Sequence, residues 1–319
     1  MDSIRILAQP RRAGQEITAG IETEIEELHA LDARKRAREF GFFVALYAFG
    51  AFLAAQSQIG WPSAALGIVV MGLALNSCGI FIHDGLHGLL AGNARANHAL
   101  SLLVGLPILM SPTAYEITHQ NHHYALGRKL DYGTYRQHAR TPAFVWAAYL
   151  FQLFFGSLLY VLLIPFLAFR SGSTREKTTI VIEYLVVIAI YAVAITNIST
   201  DLLLRFWLLP LLVMTVLTNI RGLASHALGD VEDIYLSSRT VRSSRFVAFL
   251  FLYENYHLEH HIFPRVPSYN LAAVHALIWD RLPYAVYARS YMSFLVNFFK
   301  AACKRDLRPL GVVTPRNCA

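Results

Sequence analysis

The sequence predicts an all-α integral membrane protein with about four transmembrane helices, a re-entrant or interfacial hairpin, and a cytoplasmic helical cap that carries clustered histidines. Three observations predict this fold. Only 15% of the 319 residues are charged and 55% are hydrophobic, whereas soluble domains average about 25% charged residues. Apolar runs of roughly the length that crosses a bilayer recur along the chain. Eight of the 13 histidines lie in three short clusters outside those runs.

The net charge of +7 does not indicate a nucleic-acid-binding protein. The basic residues stand in short blocks beside apolar runs, as Arg34–Arg38 does before Phe40, which is typical of cytoplasmic membrane anchors. The three cysteines, Cys78, Cys303 and Cys318, form no Cys-x-x-Cys pair, so we expect neither a disulfide framework nor a thiolate zinc site. We also expect no cleavable signal peptide, because the first 39 residues are polar.

The N-terminal segment, residues 1–39, is expected to lie in the cytoplasm. Residues 21–39 predict an amphipathic helix whose acidic residues come first and basic residues last, as the helix dipole favours. Its apolar stripe consists of Ile21, Ile25, Leu28 and Leu31. We expect this helix to lie solvated at the membrane surface.

Four apolar segments predict transmembrane helices. They are Phe40–Ala55, Ala64–Ile82, Thr178–Thr196 and Leu202–Ile220. The loops before the second and fourth of them contain no Lys or Arg, whereas residues 170–177 contain three, so the positive-inside rule places the N-terminus and residues 170–177 in the cytoplasm. The remaining apolar run, Ala143–Phe169, then enters and leaves on the cytoplasmic side as a hairpin, with Gly156 and Pro165 as candidate break points.

This topology predicts a membrane domain of residues 40–285 and a cytoplasmic tail of residues 286–319. We expect a multi-pass protein of a bacterial inner membrane, with its functional site and both termini in the cytoplasm. Glu183 lies inside the third span. It either faces a polar partner or cavity, as functional intramembrane carboxylates do, or reaches interfacial water within about two helical turns.

Three histidine clusters have the spacing that directs several imidazoles at one point. His83 and His87 form H-x-x-x-H, and two later clusters each form H-x-x-H-H. The later clusters consist of His119, His122 and His123, and of His257, His260 and His261. Positions three or four apart share a helix face, imidazole binds Fe, Cu, Zn and Ni, and eight ligands are too many for one zinc ion. The clusters therefore predict two metal ions, with His226 after the last span as a ninth candidate ligand.

The three clusters, together with the run Asn255–Pro264 and the following Val266–Leu271, resemble the membrane fatty acid desaturase superfamily over residues 40–285. This superfamily also includes hydroxylases, carotenoid ketolases and a fatty acid decarboxylase. The resemblance implies a non-haem centre of two iron ions, dioxygen as co-substrate, and electrons from an external donor such as ferredoxin or a cytochrome b5-like protein. By position, the eight cluster histidines and His226 match metal ligands of the family.

Two features depart from the animal acyl-CoA desaturases and favour bacterial or acyl-lipid members. Gly222 stands four residues before His226, where those enzymes have an asparagine that helps to hold a metal through water. The first cluster has three residues between its histidines, where those enzymes have four.

Polar residues inside the clusters predict support for the imidazoles. Asp84, Asn121 and Glu259 could each accept an imidazole N–H and so fix its tautomer. Alternatively, Asp84 caps a helix start and Glu259 pairs with an arginine such as Arg265. The remaining histidines have no cluster partner, and we expect ordinary surface or interfacial positions for them. They are His29, His98, His138 and His275.

The sequence thus predicts an oxygen-dependent fatty-acyl desaturase that introduces a C=C bond into an alkyl chain, reached through a hydrophobic tunnel. A lipid hydroxylase, ketolase or fatty acid decarboxylase remains an alternative. A histidine-rich membrane metal transporter is a remote one, because transporters bind their cargo near the bilayer midplane. Six basic residues could attract an acidic electron donor or acyl carrier, or anionic lipid. They are Arg170, Arg175, Lys177, Arg239, Arg242 and Arg245.

Overall fold

A computed structural model describes residues 15–56, 60–124, 141–229 and 233–315, and these residues are mainly helical. The first helices are α1 (Glu22–Glu27), α2 (Ala33–Ala55), α3 (Trp61–Leu86), α4 (Ala94–Gly105), α5 (Pro112–Tyr124), α6 (Pro142–Ser171) and α7 (Thr174–Asn197). They are followed by α8 (Thr200–Leu203), α9 (Leu209–His226), α10 (Ile234–Ser237), α11 (Arg245–Leu250), α12 (His257–Ile262), α13 (Leu271–Ile278) and α14 (Tyr291–Lys304). Three short strands are β1 (Arg239–Val241), β2 (Ala285–Ala288) and β3 (Val312–Val313).

Five of the described helical segments are long and apolar enough to cross a membrane. They are α2, α3, α6, α7 and the run Thr200–His226 that joins α8 to α9. Four of these segments contain the four predicted spans, so the sequence identified those spans correctly. Helix α3 continues past the predicted span to Leu86 and therefore carries His83. Helix α4 with its following turn and helix α5 form a further apolar pair, bent by 96°.

The hairpin predicted for Ala143–Phe169 is wrong, because these residues belong to a single helix, α6, of 30 residues. Pro165 lies inside this helix. A proline removes only one backbone N–H, and the surrounding helical hydrogen bonds still satisfy the rest of the backbone in an apolar setting. Large side chains such as Phe154 and Phe166 are 60% and 71% exposed, as expected of a helix that faces lipid.

The single amphipathic helix predicted for residues 21–39 is also wrong, because two helices occupy this segment. Asp32 ends the first part of the segment by capping α2, and its Oδ1 accepts from the backbone N–H groups of Arg34 and Lys35 at 2.9 and 3.0 Å. Part of the predicted apolar stripe packs against protein. Ile21 and Ile25 are buried in a core cluster that includes residues of α12.

The described chain forms two compact units. The span-rich unit consists of the described residues within Leu31–Thr118 and Phe155–Thr218. The histidine-rich unit consists of the described residues within Met1–Ala30, His119–Phe154 and Asn219–Ala319. In the span-rich unit α2 and α3 approach backbone to backbone, because a Cβ added to Gly50 would stand only 2.8 Å from the carbonyl oxygen of Gly67. Glycines permit such close packing of helices in membranes.

The described part of the histidine-rich unit has two hydrophobic core clusters and a small sheet that the sequence did not predict. One cluster joins α6, α9 and α14 through side chains such as Trp146, Leu223 and Phe298. The other surrounds α12 and α13. Strand β1 pairs in parallel with β2, and β2 pairs antiparallel with β3.

Candidate metal centre

Short helices position the histidines of the second and third clusters. Helix α5 carries His119, His122 and His123, and α12 carries His257, His260 and His261. On each helix the spacing of three or four residues turns the rings to one face. His226 is the last residue of α9. These seven histidines all belong to the histidine-rich unit.

Four of these histidines form one group. The Nε2 atom of His226 lies 3.2 Å from Nε2 of His122 and 2.8 Å from Nε2 of His257. Nε2 of His261 lies 3.2 Å from Nε2 of His257. The candidate ligand atoms of all four lie within 4.8 Å of one another. The structure therefore brings together one histidine of the second cluster, two of the third, and the isolated His226.

The other three histidines of this unit form a second group. Nε2 of His123 lies 2.9 Å from Nε2 of His119 and 3.3 Å from Nε2 of His260. The two groups are neighbours, because the ring centroids of His123 and His261 are 4.5 Å apart. Each group could hold a metal ion, and the number of bound ions stays a prediction.

The spacing of the nitrogen atoms fits metal coordination. A metal–imidazole bond of about 2.1 Å gives neighbouring nitrogens about 3.0 Å apart in an octahedron and about 3.4 Å apart in a tetrahedron. The Nε2–Nε2 distances in the two groups run from 2.8 to 3.3 Å, close to these edges. An all-imidazole donor set suits iron, copper, zinc or nickel and disfavours magnesium and calcium. The residues present therefore fit transition-metal ions.

The first cluster belongs to the span-rich unit. His83 lies on the last turn of α3, and His87 is the residue that follows this helix. Their ring centroids are 5.2 Å apart, and His83 is buried with 3% of its surface exposed. The sequence pattern H-x-x-x-H thus produces a paired arrangement at the end of a candidate span.

Hydrogen-bond acceptors orient the rings of two candidate ligands, His257 and His226. Nδ1 of His257 lies 3.2 Å from Oε2 of Glu254, and Nδ1 of His226 lies 3.2 Å from the carbonyl oxygen of Ser237. A carbonyl or carboxylate oxygen accepts a hydrogen bond, so the tautomer that fits these contacts has its proton on Nδ1 and directs the Nε2 lone pair into the group. Glu254 is completely buried, and it is not among the residues that the sequence predicted for the site.

Burial keeps the ring of His261, another member of the group of four, neutral. Desolvation, followed by the ring of His123 and those of three further histidines, lowers the pKa of His261 well below its ordinary value. A neutral imidazole is the form that binds a metal. The site is thus prepared to coordinate metal at neutral pH.

A buried arginine donates hydrogen bonds to carbonyl groups at the end of α9. Arg239 donates to the carbonyl oxygens of Ala224 at 2.6 Å and of Ala227 at 3.0 Å, and also to that of Leu310 at 3.0 Å. Burial lowers the pKa of Arg239 to about 10, so it remains protonated at neutral pH. The prediction that Arg239 belongs to a basic surface is wrong, because it is 1% exposed. The carbonyl groups at the negative end of the helix replace the water that would otherwise solvate the Arg239 guanidinium.

The acidic residue of the first cluster pairs with an arginine. Oδ2 of Asp84 accepts from Nη2 of Arg36 at 2.6 Å, and Nη1 of Arg36 donates to Glu39 at 2.9 Å. All three side chains are buried. Asp84 therefore links α3 to α2 instead of capping a helix start. Its predicted hydrogen bond to an imidazole, and that of Asn121 on α5, remain predictions.

Glu259 pairs with a histidine that the sequence analysis assigned to an ordinary position. Its carboxylate accepts from Thr240 Oγ1 at 2.8 Å and lies 2.5 Å from Nδ1 of His275. Arg265 is not among its partners. Glu259 is fully buried while the His275 side chain is 24% exposed, so the pair extends from the core beside α12 towards the surface.

Glu183, the carboxylate inside a predicted span, also has defined hydrogen-bond partners. Glu183 is 2% exposed and accepts from the hydroxyl groups of Ser111 and Thr113, the latter at 2.6 Å. His98 Nε2 lies 3.1 Å from its Oε1. Ser111 in turn accepts from the N–H of Ala114 at 3.0 Å. Of the two readings left open by the sequence, the structure supports the polar partner, and Glu183 anchors the start of the helix that carries the second cluster.

The four histidines without a cluster partner have different surroundings. His98 and His275 each lie beside a buried carboxylate. The His98 side chain is 46% exposed, in agreement with its predicted surface position, whereas the sequence did not predict the carboxylate partner of His275. His29 Nδ1 lies 2.9 Å from the carbonyl oxygen of Ile25, and His138 lies outside the described residues. A sequence signal existed for Glu254, which stands three residues before His257 on a potential helical turn. No local signal pointed to Ser237 or Arg239.

The fold and the site together define a class: a helical membrane protein whose histidine clusters can hold metal ions. The model of the Fatty acid desaturase family matches residues 59–293, which is well over half of the chain, and the protein belongs to this family. The matched region contains all nine candidate histidines and ends within α14. Membership implies an oxidoreductase that modifies lipid in a membrane. Among curated proteins, none matches this chain.

Proposed function

We propose that this protein is an oxygen-dependent di-iron desaturase that introduces a C=C bond into a fatty-acyl chain. The observation that supports this proposal is the presence of two adjacent groups of imidazole nitrogens, spaced like coordination edges, in a member of the desaturase family. We assign His83 and His87 as further iron ligands through their match to the first box of that family.

When two iron ions are bound, they supply the activation of dioxygen and the removal of hydrogen from an unactivated C–H bond. The protein's own residues hold and orient this centre. Glu254 and the Ser237 carbonyl fix two ring tautomers, and the buried position of His261 keeps its ring neutral. Arg239 holds the helix end that places His226. Such fixed support is what sets the position of a reacting carbon relative to a metal centre.

The family supports a lipid-like substrate and a membrane context. Removal of two hydrogens with reduction of dioxygen to water consumes two further electrons, so we propose an external electron donor such as ferredoxin or a cytochrome b5-like protein. A lipid hydroxylase, ketolase or decarboxylase would use the same ligands, and the position of the target carbon selects among these outcomes. Product analysis distinguishes them.

We also propose that α6 does not cross the bilayer. His122 and His226 are in contact, so both lie on one side and an even number of crossings separates them, yet α6, α7 and the run Thr200–His226 all lie between them. The first turns of α6 pack in the core of the histidine-rich unit, and its remaining residues, 155–171, reach only about 25 Å. That length is less than the hydrocarbon thickness of about 30 Å.

This topology is tested by the accessibility of a cysteine at the end of α6. In a chain without the native cysteines, a Ser171→Cys variant should react with a membrane-impermeant maleimide only after the cells are opened, as expected if residues 170–177 lie in the cytoplasm. Reaction in intact cells would show that α6 crosses.

The proposed reaction is tested by product analysis. The protein and its His260→Ala variant are expressed in a heterologous bacterium together with a ferredoxin system, and total lipids and volatiles are profiled by mass spectrometry. We expect a new unsaturated acyl chain that disappears in the variant. His29→Ala is the matched control, because His29 lies outside both histidine groups. A hydroxylated, ketonic or chain-shortened product would change the reaction, and well-folded protein without bound iron would refute the proposal.

A further inference from the structure

Helix α14, at the end of the family match, is held in a fixed orientation by its buried face. Phe294 and Phe298 are 1% and 0% exposed. The ring of Phe298 packs against that of Trp146, with centroids 5.1 Å apart, and the guanidinium of Arg239 lies 4.9 Å from the ring centroid of Phe294. The helix therefore cannot turn its other face inwards without losing this packing.

The outward side of α14 carries an apolar stripe beside a basic one. Met292, Val296 and Phe299 are 68%, 45% and 43% exposed, and positions i, i+4 and i+7 lie along one line of a helix. Lys300 and Lys304 are exposed on the neighbouring strip of the same helix. One helix thus presents three sides: a buried aromatic side, an exposed apolar side and an exposed basic side.

We propose that α14 lies on the membrane surface, with its apolar stripe inserted among the acyl chains and its lysines on anionic lipid headgroups. An apolar face bordered by lysines is the pattern of helices that lie in the bilayer interface. Charge complementarity identifies the partner as anionic lipid, because each basic residue near an anionic surface favours the bound position about fivefold. This inference requires only that the protein lies in a membrane, and it is independent of the proposed desaturation.

A neighbouring helix shows the same combination. On α11, Phe246 is 68% exposed, and Arg245 beside it is also exposed. The two helices are joined at one end, because the ring of Phe251, just after α11, stacks on that of Tyr291 at 5.1 Å. Two linked helices, each with an exposed aromatic residue and at least one exposed basic residue, extend the proposed lipid-binding surface beyond a single stripe.

The proposal is tested with environment-sensitive probes on the full-length protein in lipid nanodiscs. In a background without the native cysteines, Val296→Cys and Phe299→Cys report on the apolar stripe, and Asn297→Cys reports on the basic side of the same helix as the matched control. Each is labelled with a nitrobenzoxadiazole dye. We expect lipids with a spin label near the headgroup to quench the dyes at 296 and 299 several-fold more than the dye at 297, and aqueous iodide to show the reverse order.

A second measurement tests the charge. In nanodiscs of equal parts phosphatidylcholine and phosphatidylglycerol, the double variant Lys300→Glu, Lys304→Glu should reduce the lipid quenching at position 296 several-fold, to its level in phosphatidylcholine alone. If removal of the native cysteines prevents folding, labelling of native Cys303, exposed on the same stripe, replaces the probe at 296 in a Cys318→Ser chain. Strong iodide quenching at 296 would overturn the proposal by showing a solvated face. Protection from both quenchers would overturn it by showing a face covered by protein.

Discussion

Replacement of Glu254 by glutamine tests whether the buried carboxylate tunes the metal centre through His257. The variant keeps the size of the side chain and an acceptor oxygen for the imidazole N–H, but it removes the negative charge that makes this imidazole a stronger ligand. Loss of a partner of a metal-binding imidazole weakens metal binding about 10- to 100-fold, which corresponds to about 1.4 to 2.7 kcal/mol.

The length of the His257–Glu254 hydrogen bond narrows the expected loss of metal affinity. The Nδ1–Oε2 distance of 3.2 Å is longer than that of a strong charge-assisted hydrogen bond, about 2.7 to 2.9 Å. We therefore expect Glu254→Gln to weaken iron binding about tenfold, and Glu254→Ala, which removes the acceptor altogether, to approach a hundredfold loss. Arg221, whose Nη1 lies 3.7 Å from Oε2, loses its counter-charge in both variants.

The assay is competition for iron between the purified protein and a chelator, followed by metal analysis of the protein. Asp306→Asn serves as the matched control, since Asp306 follows α14 and is paired with exposed Arg308. Iron retention equal to that of the wild type in both Glu254 variants would refute the reasoning. A loss of equal size in Glu254→Gln and Glu254→Ala would show that charge alone, and not the hydrogen bond, supports the ligand.

Three further predictions concern the supports of the site. Glu183→Ala should lower stability by about 2 kcal/mol, because the hydroxyl groups of Ser111 and Thr113 lose their acceptor; thermal unfolding in detergent should show this shift, and Glu183→Gln should show a smaller one. Arg239→Met should remove the donor to the buried carbonyl groups of Ala224 and Ala227 and to the part-buried one of Leu310, at a cost of about 3 kcal/mol or more, measured by the same assay, with exposed Arg242→Met unchanged. His226→Ala removes one of four grouped imidazoles and should reduce bound iron towards one ion per chain in elemental analysis; retention of two ions would exclude His226 as a ligand.

Local patterns determined the membrane class and most of the candidate ligands. Runs such as Thr178–Thr196 are recognisable because crossing a bilayer demands a continuous length of apolar residues. The clusters are recognisable because a helix turns residues three or four apart to one face, and this rule correctly placed His119 beside His123 on α5. The family resemblance rested on these same local patterns and is confirmed by the family match.

Local patterns failed where a neighbouring element decided the outcome. The sequence of α6 suggested a break at Gly156 or Pro165, but the helix continues because its backbone hydrogen bonds are satisfied on both sides of the proline. The segment around Asp32 was read as continuous helix, although its carboxylate caps a new one. The apolar stripe of Ile21 and Ile25 was correctly recognised, but an apolar pattern alone does not determine whether lipid or protein covers the face.

The sequence by itself thus determined that this chain is helical, lies in a membrane and carries clustered imidazoles able to bind metal. Only the tertiary structure decided how those imidazoles divide into groups and which polar side chains support them. Asp84 meets Arg36 from 48 positions away, and Glu183 meets Ser111 from 72 positions away. The physical reason is that hydrophobicity and helical period act over a few residues, whereas a buried charge is satisfied by whichever partner the packed helices bring within hydrogen-bonding distance.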